Sequence, residues 1–263
     1  MQDLKIALVQ TSLYWEDKEA NRAQLEEKIF SISEQVDLIV LPEMFNTGFS
    51  MEAQKLAEPM KLHTFKWMQQ MAAQKQAVIT GSYIVNDGGD YFNRLIWMHP
   101  DGSYEQYDKR HLFRMAEEHQ HFSMGKQDLI VELKGWKIKP LVCYDLRFPV
   151  WSRNTVKQEE LAYDLLLYVA NWPAARVSAW DALLKARAIE NLSYSLGVNR
   201  VGEDGKGIPY NGHSAVYNFK GESLLDLGEE EQVKIISLSA EELKRGREKF
   251  PAHLDADNFS LDQ

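Results

Sequence analysis

The sequence predicts an α/β protein with a mixed β-sheet, and three observations support this prediction. Short β-rich apolar runs recur along the chain, and several are apolar on successive residues, as expected for strands covered on both faces. Segments with apolar residues near the helical period lie between these runs. Between residues 213 and 238 the helical segments drop out and strand patterns follow one another. The alternation of strand and helix patterns is typical of an α/β fold, and the succession of strand patterns over 213–238 adds antiparallel strands to it.

The predicted elements can be placed in order along the chain. Strands are expected at 5–10, 36–42, 76–85, 91–100, 136–145, 164–172 and 194–202. Helices are expected at about 18–35, 60–75, 150–161, 176–191 and 239–249. A hairpin is expected around the Lys220-Gly221 turn.

Length and composition favour one domain. The chain has 263 residues and is 44% apolar, which is enough for a substantial core. It shows no repeat, no low-complexity linker and no long structureless gap. We therefore expect a single domain over 1–263, with a C-terminal tail from about residue 250 that is loosely held or docks on a partner subunit.

Charge and hydropathy exclude several classes of partner. The formal net charge of -9 is spread along the chain, and no basic stripe could bind a nucleic-acid backbone. No stretch approaches the roughly 20 uncharged residues of a membrane span, and the first residues, MQDLKIALVQ, do not resemble a signal peptide. We expect a cytoplasmic protein that binds neither nucleic acid nor membranes.

The single cysteine, Cys143, follows the apolar strand pattern of KIKPLVCYDLRFPVW. One cysteine cannot form an internal disulfide, so it is either an inert buried group or a reactive nucleophile. A helix is expected to begin within a few residues, and the positive end of a helix favours a thiolate. The inert alternative explains the thiol but not the polar Asp145 and Arg147 that follow it.

Two other predicted strands end in ionisable side chains. Glu43 follows the buried-type strand of VLPEMFNTGF, and Lys109 follows the strand of YEQYDKRHLF. Ligands collect at the carboxyl ends of strands in open α/β sheets, so both side chains are candidates for a site. Alternatively, Glu43 is a helix cap or a solvated loop residue, and Lys109 is an exposed surface cation.

Three histidines offer a competing metal site. His119 and His121 are two residues apart, which suits a metal in an extended segment, and His111 is near them in sequence. No HExxH motif, cysteine cluster or carboxylate set with ligand spacing accompanies them. We therefore expect neither a metal ion nor another cofactor.

Together, the three loops resemble a known family. The motifs LPEMFNTGF, YDKRHLF and LVCYDLRFPVW resemble, in order and approximate spacing, the Glu, Lys and Cys motifs of the nitrilase superfamily. The stretch YVANWPAARVSAWDALLKARAIENLSYSLGVNRVG, followed by YNGHSAVYNFKGE, is also similar to this family. The resemblance implies a four-layer α-β-β-α sandwich, a homodimer and a small-molecule amide as substrate.

The resemblance also implies a catalytic set. Glu43 would move protons, Cys143 would attack the substrate carbon and form a thioester, and Lys109 would stabilise the oxyanion. A covalent acyl-transfer mechanism requires a base, a nucleophile and an oxyanion donor, which these three side chains can supply.

Supporting residues follow from the same resemblance. The segment EHQHFSMG matches the family's second glutamate at Glu118, which would hold Lys109 and the substrate in position. The backbone N–H of Tyr144 would bind the oxyanion together with Lys109. Arg147 would hold a remote carboxylate, unless it only pairs with Asp145 or another surface acid. The expected substrate-contacting residues are Arg147, Asn171, Trp172 and Phe45.

Within the superfamily, the chain looks most like the omega-amidases, which release ammonia from the side-chain amide of 2-oxo acids such as 2-oxoglutaramate. One departure is Val150, which stands where relatives commonly have a glutamate after RFP. The alternatives are an N-carbamoyl amino acid hydrolase, a deaminated glutathione amidase, a nitrilase, a non-catalytic scaffold, or a metal hydrolase built on the histidines.

Overall fold

The computed structural model describes residues 1–257 and 259–261. Its strands are β1 (Leu4–Gln10), β2 (Leu38–Val40), β3 (Glu58–Pro59), β4 (Val78–Asp87), β5 (Asp90–Met98), β6 (Tyr104–Asp108), β7 (Val131–Leu133), β8 (Trp136–Val142), β9 (Val156–Lys157), β10 (Glu160–Leu161), β11 (Leu165–Ala170), β12 (Tyr194–Asn199), β13 (Val201–Glu203), β14 (Pro209–Asn211), β15 (Ala215–Tyr217), β16 (Ser223–Asp226) and β17 (Gln232–Leu238). Its α-helices are α1 (Lys18–Ser31), α2 (Ala53–Leu56), α3 (His63–Lys75), α4 (Glu118–His121), α5 (Pro149–Ser152), α6 (Val177–Asn191) and α7 (Ala240–Lys249). Short 3₁₀ turns cover Arg114–Ala116, Cys143–Arg147, Ala174–Arg176 and Ala252–Asp255.

Two mixed sheets form the centre of the molecule. The first has the order β17-β1-β2-β4-β5-β6, with β3 beside β4, and its strands β1, β2 and β4 are parallel. The second has the order β16-β15-β12-β11-β8-β7, and its strands β8, β11 and β12 are parallel. The remaining main strands pair antiparallel with their neighbours, except β3, which is parallel to β4. The mixed character predicted from the sequence is confirmed.

Alternation along β1 shows how the first sheet is covered. Leu4, Ile6 and Leu8 are fully buried in a core shared with the second sheet. Ala7 and Val9 point the other way, into a second core built with α1 and α3. Because successive side chains of a strand point to opposite faces, this sheet is buried on both sides.

Helix α6 covers the outer face of the second sheet. Trp180 and Leu184 of α6 are fully buried and lie against Gly197 of β12, where an added Cβ would come within 2.5 Å of the Trp180 ring. The absence of a side chain at Gly197 therefore allows this close approach. With α1 and α3 outside the first sheet, the order of layers is α-β-β-α, as the family resemblance implies.

The hairpin at Lys220-Gly221 is also confirmed, because it joins β15 to β16. Gly221 has a φ of +78°, and its N–H donates to the Asn218 carbonyl at 2.8 Å. The Asn218 side-chain oxygen accepts from the backbone N–H groups of Lys220 and Glu222, both at 3.0 Å. Glycine suits this turn because it adopts a positive φ at little cost.

The predicted helix over 150–161 was wrong. Only the four-residue α5 forms there, and β9 and β10 follow it as a small hairpin. Gln158 and Glu159 at its turn have φ values of 51° and 65°, which an α-helix does not allow. The side chain of Asn154 exchanges hydrogen bonds with the backbone of Tyr163, which ties the segment to the sheet instead. Long-range bonds therefore override the local helical pattern.

The C-terminal end follows α7, whose N-terminus is capped by the Ser239 hydroxyl, which accepts from the backbone N–H of Glu242. Beyond α7 the described residues form the 3₁₀ turn Ala252–Asp255. No helix in the described part of the chain is both long enough and apolar enough to cross a bilayer.

Candidate active site

The predicted site residues meet where strands of both sheets end. Glu43 follows β2, Lys109 follows β6, Cys143 follows β8, and Asn171 follows β11. Because β2, β8 and β11 run in the parallel part of their sheets, their carboxyl ends carry these loops, and the loops of the two sheets meet where Asn171 binds Glu43.

Glu43 is fully buried and is fixed by hydrogen bonds from three sides. One carboxylate oxygen, Oε1, accepts from Lys109 Nζ at 2.9 Å and from Asn93 Nδ2 at 2.8 Å. The other, Oε2, accepts from the backbone N–H of Asn171 at 2.8 Å, and the Asn171 side chain also donates to the Glu43 carbonyl. A buried carboxylate with this many donors is held in one orientation.

Lys109 is 1% exposed and lies between two carboxylates. Its Nζ donates to Glu43 at 2.9 Å and to both oxygens of Glu118 at 3.0 Å. Burial by itself would lower the pKa of Lys109, but the charges of Glu118 and Glu43 outweigh burial and raise it. Lys109 is therefore an ammonium cation, and its Nζ is also 5.0 Å from the centre of the Phe49 ring.

Glu118 supports Lys109 from α4. It is fully buried, and the backbone N–H of Phe113 donates to its Oε2 at 2.6 Å. Burial raises the pKa of Glu118, Lys109 lowers it and Glu43 raises it, with a net upward shift. Burial and the second carboxylate therefore favour the protonated form of Glu118 more than in an isolated glutamate.

Gly125 follows α4 and lies directly against the loop that carries Lys109. Its N–H donates to the Lys109 carbonyl at 2.9 Å. A Cβ at this position would be 1.9 Å from the carbonyl oxygen of Asp108. Only glycine allows this approach, which explains the glycine of the EHQHFSMG motif.

Cys143 begins the 3₁₀ turn with a φ of +46°, an uncommon conformation for a residue with a side chain. Its Sγ is 3.8 Å from the Asn171 carbonyl, to which the thiol donates. Burial raises the pKa of Cys143 well above its usual range, the charge of Glu43 raises it further, and Lys109 only partly opposes them. The group at rest is therefore a thiol, not the thiolate expected from a nearby helix. The turn and α5 are too short to provide a strong helix dipole.

Asp145 joins the Cys143 turn to the Lys109 loop. This fully buried carboxylate accepts from the hydroxyl of Tyr107 at 2.8 Å and from the backbone N–H of Val142 at 3.1 Å. It also accepts from the backbone N–H of His111 at 3.0 Å and lies 2.7 Å from His111 Nδ1. Asp145 thereby fixes the loops that carry the ammonium group and the thiol relative to each other.

The three histidines do not assemble. His111 is bound to Asp145 and stacks on the Phe148 ring at 3.8 Å, whereas His119 and His121 are exposed on α4. Over residues 1–257 and 259–261, no group of three or more His, Cys, Asp or Glu side chains is placed to hold a metal ion.

A cavity of about 280 Å³ opens beside Cys143 and Lys109. Tyr144, Asn171 and Trp172 line it, and the guanidinium of Arg147 lies 5.0 Å from the centre of the Trp172 ring. No described residue forms an ion pair with Arg147, and Asp145 instead binds Tyr107 and His111. The other lining residues are Phe49, Met51, Phe113, Met115, Ala116, Pro173, Arg176, Asp204, Lys206, Ile208 and Tyr210.

The expectation that Phe45 forms a wall of this cavity requires correction. Its ring is fully buried behind the first sheet and contacts the rings of Trp67 and Tyr83, 5.7 and 6.3 Å away. The backbone N–H of Phe45 is bonded to the Ser82 carbonyl, which directs the ring into the core. Phe49 lines the cavity instead. Both aromatics stand in the same loop motif, so local sequence does not distinguish them.

Sequence reasoning also missed Asn93, which holds the Glu43 carboxylate. It is a buried polar residue within the apolar strand β5. An asparagine in such a strand indicates a buried hydrogen-bond partner, although it does not say which one.

This arrangement can support acyl transfer. A thiol lies in a cleft with a buried carboxylate that can accept its proton and an ammonium group that can bind an oxyanion. A non-catalytic scaffold would have no need to bring a thiol, a carboxylate and an ammonium group together in one cleft.

Comparisons with known proteins agree with the geometry. The family model described as carbon-nitrogen hydrolase matches residues 5–248. The chain is 47% identical to an omega-amidase, YafV, from Yersinia enterocolitica, over 99% of this chain and 100% of that protein. It is 31% identical to a 2-oxoglutaramate amidase of Bacillus subtilis, over 85% of this chain and 86% of that protein.

A solved structure is equally similar. A CN-hydrolase superfamily protein from Xanthomonas campestris, which carries an arsenic adduct in its active site, superposes with a TM-score of 0.97. The two chains are 48% identical, and the match covers all of both. The same family is indicated by the order of the Glu, Lys and Cys motifs, by the four layers and by these matches. The chain therefore belongs to the carbon-nitrogen hydrolase family, within the nitrilase superfamily.

Proposed function

We propose that this enzyme is an omega-amidase, which hydrolyses the side-chain amide of a small 2-oxo acid such as 2-oxoglutaramate and releases ammonia. The observation that carries the proposal is the cluster of Cys143, Glu43 and Lys109 beside a small cavity that also contains the free guanidinium of Arg147. The names of the relatives from Yersinia enterocolitica and Bacillus subtilis support the substrate class.

In the first half-reaction, Glu43 accepts the proton of the Cys143 thiol as the sulfur attacks the amide carbon. This proton transfer is needed because the resting group is a thiol with a raised pKa. When the tetrahedral intermediate collapses, the carbon–nitrogen bond breaks and Glu43 returns the proton to the departing nitrogen. Ammonia leaves, and the acyl group remains as a thioester on Cys143.

In the second half-reaction, Glu43 takes a proton from water, and the oxygen attacks the thioester carbon. The carbon–sulfur bond then breaks, and the proton returns to the sulfur. The product is the free carboxylic acid, and Cys143 is again a thiol. Glu43 thus acts in both steps, which suits a carboxylate held rigidly by Asn93 and Asn171.

Two donors would stabilise the oxyanion of each tetrahedral intermediate. One is the ammonium group of Lys109, which is kept charged by Glu118 and Glu43. The other is the backbone N–H of Tyr144, which lies in the first turn of the 3₁₀ helix, where N–H groups have no acceptor within the helix. Loss of one oxyanion donor typically lowers turnover on the order of 10² to 10³-fold.

Arg147 would bind the remote carboxylate of the substrate. Its guanidinium lines the cavity and lies over the Trp172 ring, 5.0 Å from the ring centre. A guanidinium presents paired N–H groups that match the two oxygens of a carboxylate.

We also propose that the enzyme is a cytoplasmic homodimer. The free Cys143 thiol supports a reducing compartment, where thiols stay reduced. Large apolar side chains are exposed around α5, α6 and the C-terminal segment, which supports an interface there; they are Val150, Ile189, Phe250 and Leu254.

The first experiment measures ammonia release by purified enzyme from 2-oxoglutaramate, a carbamoyl amino acid and a simple nitrile. We expect selective release from 2-oxoglutaramate, with Cys143→Ala at background because no other nucleophile stands in that loop. Lys109→Ala and Glu43→Gln should lose nearly as much, since members of one catalytic unit are not additive. Substantial amidase activity in Cys143→Ala would refute the mechanism.

Binding of the substrate carboxylate by Arg147 is tested with a separate variant. Arg147→Lys keeps the charge but loses the paired geometry, so we expect a higher KM for 2-oxoglutaramate and little change for a neutral amide such as butyramide. Turnover of a carbamoyl amino acid or a nitrile in place of 2-oxoglutaramate would keep the mechanism and replace the substrate class.

A further inference from the structure

A second guanidinium, that of Arg176, faces the same cavity. It is half-buried on the 3₁₀ turn Ala174–Arg176, and its carbonyl accepts from the Trp172 indole N–H at 2.8 Å. Its Cζ lies 5.3 Å from the centre of the Phe113 ring. Arg147 and Arg176 therefore both stand next to aromatic rings that line the cavity, and Trp172 connects them.

The hydrogen bonds of Arg176 leave most of its donors unused. Its Nη2 donates to the thioether of Met115 at 3.0 Å, and sulfur is a weak acceptor. Within the described chain neither the guanidinium of Arg176 nor that of Arg147 has a side-chain or carbonyl oxygen as a hydrogen-bond partner. Arg94, by contrast, binds both oxygens of Asp108, at 2.6 and 2.9 Å. A half-buried guanidinium without an oxygen acceptor is poised for an anionic ligand.

The acidic side chain that lines the cavity is already engaged. Asp204 Oδ1 accepts from the backbone N–H groups of Lys206 at 2.8 Å and Ile208 at 3.0 Å, and its Oδ2 accepts from the Tyr210 hydroxyl at 3.1 Å. These bonds hold the loop in place and occupy the carboxylate. A cationic group on a ligand would therefore meet two arginines without a free acid to offset them.

We propose that Arg176 is a second substrate-binding cation and sets the enzyme's preference for 2-oxo acid amides over 2-amino acid amides. This inference rests on the proposed function. Arg147 and Arg176 together bind the carboxylate and the 2-oxo oxygen at the far end of the substrate. A 2-ammonium group at the same place is repelled by both guanidinium groups, which excludes glutamine and related amides.

Arg176 is well placed for this role because its position depends on contacts outside the catalytic cluster. Met115 and Phe113 contact it from the segment before α4, and in the described chain no hydrogen bond or ion pair joins its side chain to Glu43, Lys109 or Cys143. Its substitution should therefore change substrate choice and leave the chemistry intact.

The test compares kcat/KM for 2-oxoglutaramate, glutamine and butyramide in wild type, Arg176→Gln and Arg176→Glu. For Arg176→Gln we expect kcat/KM for 2-oxoglutaramate to fall roughly 10- to 100-fold, mainly through KM, with butyramide unchanged. In Arg176→Glu the ratio of 2-oxoglutaramate to glutamine should fall further, because a carboxylate now faces the ammonium group. Arg114→Gln, which removes an exposed arginine outside the cavity, is the matched control and should resemble wild type.

The outcomes separate this inference from the proposed function. Wild-type turnover of 2-oxoglutaramate with an unchanged substrate ratio in both Arg176 variants would refute the role of Arg176 alone. An equal loss for all three substrates would also refute it, since that result indicates damage to the site rather than lost recognition. A wild-type enzyme that is inactive on 2-oxoglutaramate would overturn the proposed function, and this inference with it.

Discussion

At the scale of single residues, the protonation of Cys143 decides how the site must work. The thiol is buried beside Glu43, and both burial and that negative charge raise its pKa. Lys109 opposes the shift but does not cancel it. The nucleophile therefore needs a base at the moment of attack, and Glu43 is the carboxylate whose charge reaches it most strongly.

The reaction of the thiol with iodoacetamide tests this electrostatic balance. Because only the thiolate is alkylated, the rate should rise with pH around a midpoint above that of an ordinary cysteine thiol. Glu43→Gln removes a nearby negative charge, so its midpoint should move down. Lys109→Met removes a positive charge, so its midpoint should move up.

The measurement is the pH dependence of the alkylation rate of Cys143, with thermal melting of each variant to confirm that it folds. The single cysteine makes the assay specific, since no other thiol competes. A midpoint for Glu43→Gln at or above the wild-type value would contradict the assigned charge interaction.

At the scale of elements, the site depends on how closely the loops approach one another. Asp145 ties the Cys143 turn to the Lys109 loop, and Gly125 lets the segment after α4 lie against the same loop. These contacts join elements that are distant in the sequence. The geometry of the site therefore depends on packing between loops as much as on the catalytic side chains.

Gly125→Ala should displace the Lys109 loop. The added Cβ would meet the Asp108 carbonyl at 1.9 Å, and both partners are backbone, so neither can move aside easily. We expect kcat to fall on the order of 10²-fold, as for a displacement of about 1 Å, and stability to fall by about 1–3 kcal/mol.

Gly88→Ala is the control for this substitution. An added Cβ there has no atom within 4 Å, although its φ of +65° adds a backbone cost of roughly 1–2 kcal/mol. Both variants should therefore have a lower Tm than wild type, but only Gly125→Ala should lose turnover. Wild-type kcat in Gly125→Ala would show that the loop tolerates the shift.

At the scale of the whole molecule, several large apolar side chains are exposed near the C-terminal segment. Ile189 of α6 is 47% exposed and Phe250 is 67% exposed, and both line one surface cavity. Val150 on α5 is also 51% exposed. Such a cluster is costly to leave in water, which supports the proposed homodimer.

Sedimentation equilibrium tests the dimer directly. The chain has a mass of 30.4 kDa, and we expect about twice that mass at micromolar concentration. Phe250→Glu should shift the equilibrium toward monomer, because a carboxylate is costly to bury in an apolar interface. Leu224→Glu, at a residue 40% exposed on β16, should have no such effect. A monomeric wild type would refute the proposal.

The sequence alone determined the fold class, the positions of the main strands along the chain and the candidate residues Glu43, Lys109 and Cys143. It could do so because strand periodicity is local, because Glu43 and Cys143 each stand at the end of an apolar run, and because all three residues lie within family motifs. The family resemblance then implied the four layers, which no local pattern contains.

Tertiary structure decided the rest, because it depends on contacts between distant parts of the chain. Phe45 and Phe49 share one loop, and only packing against the first sheet shows which of them reaches the cavity. The raised pKa of Cys143 arises from burial and from the charge of a carboxylate 100 residues earlier in the chain. The unused donors of Arg176 are visible only once its neighbours are placed. Burial and charge act through space, and a one-dimensional pattern does not record them.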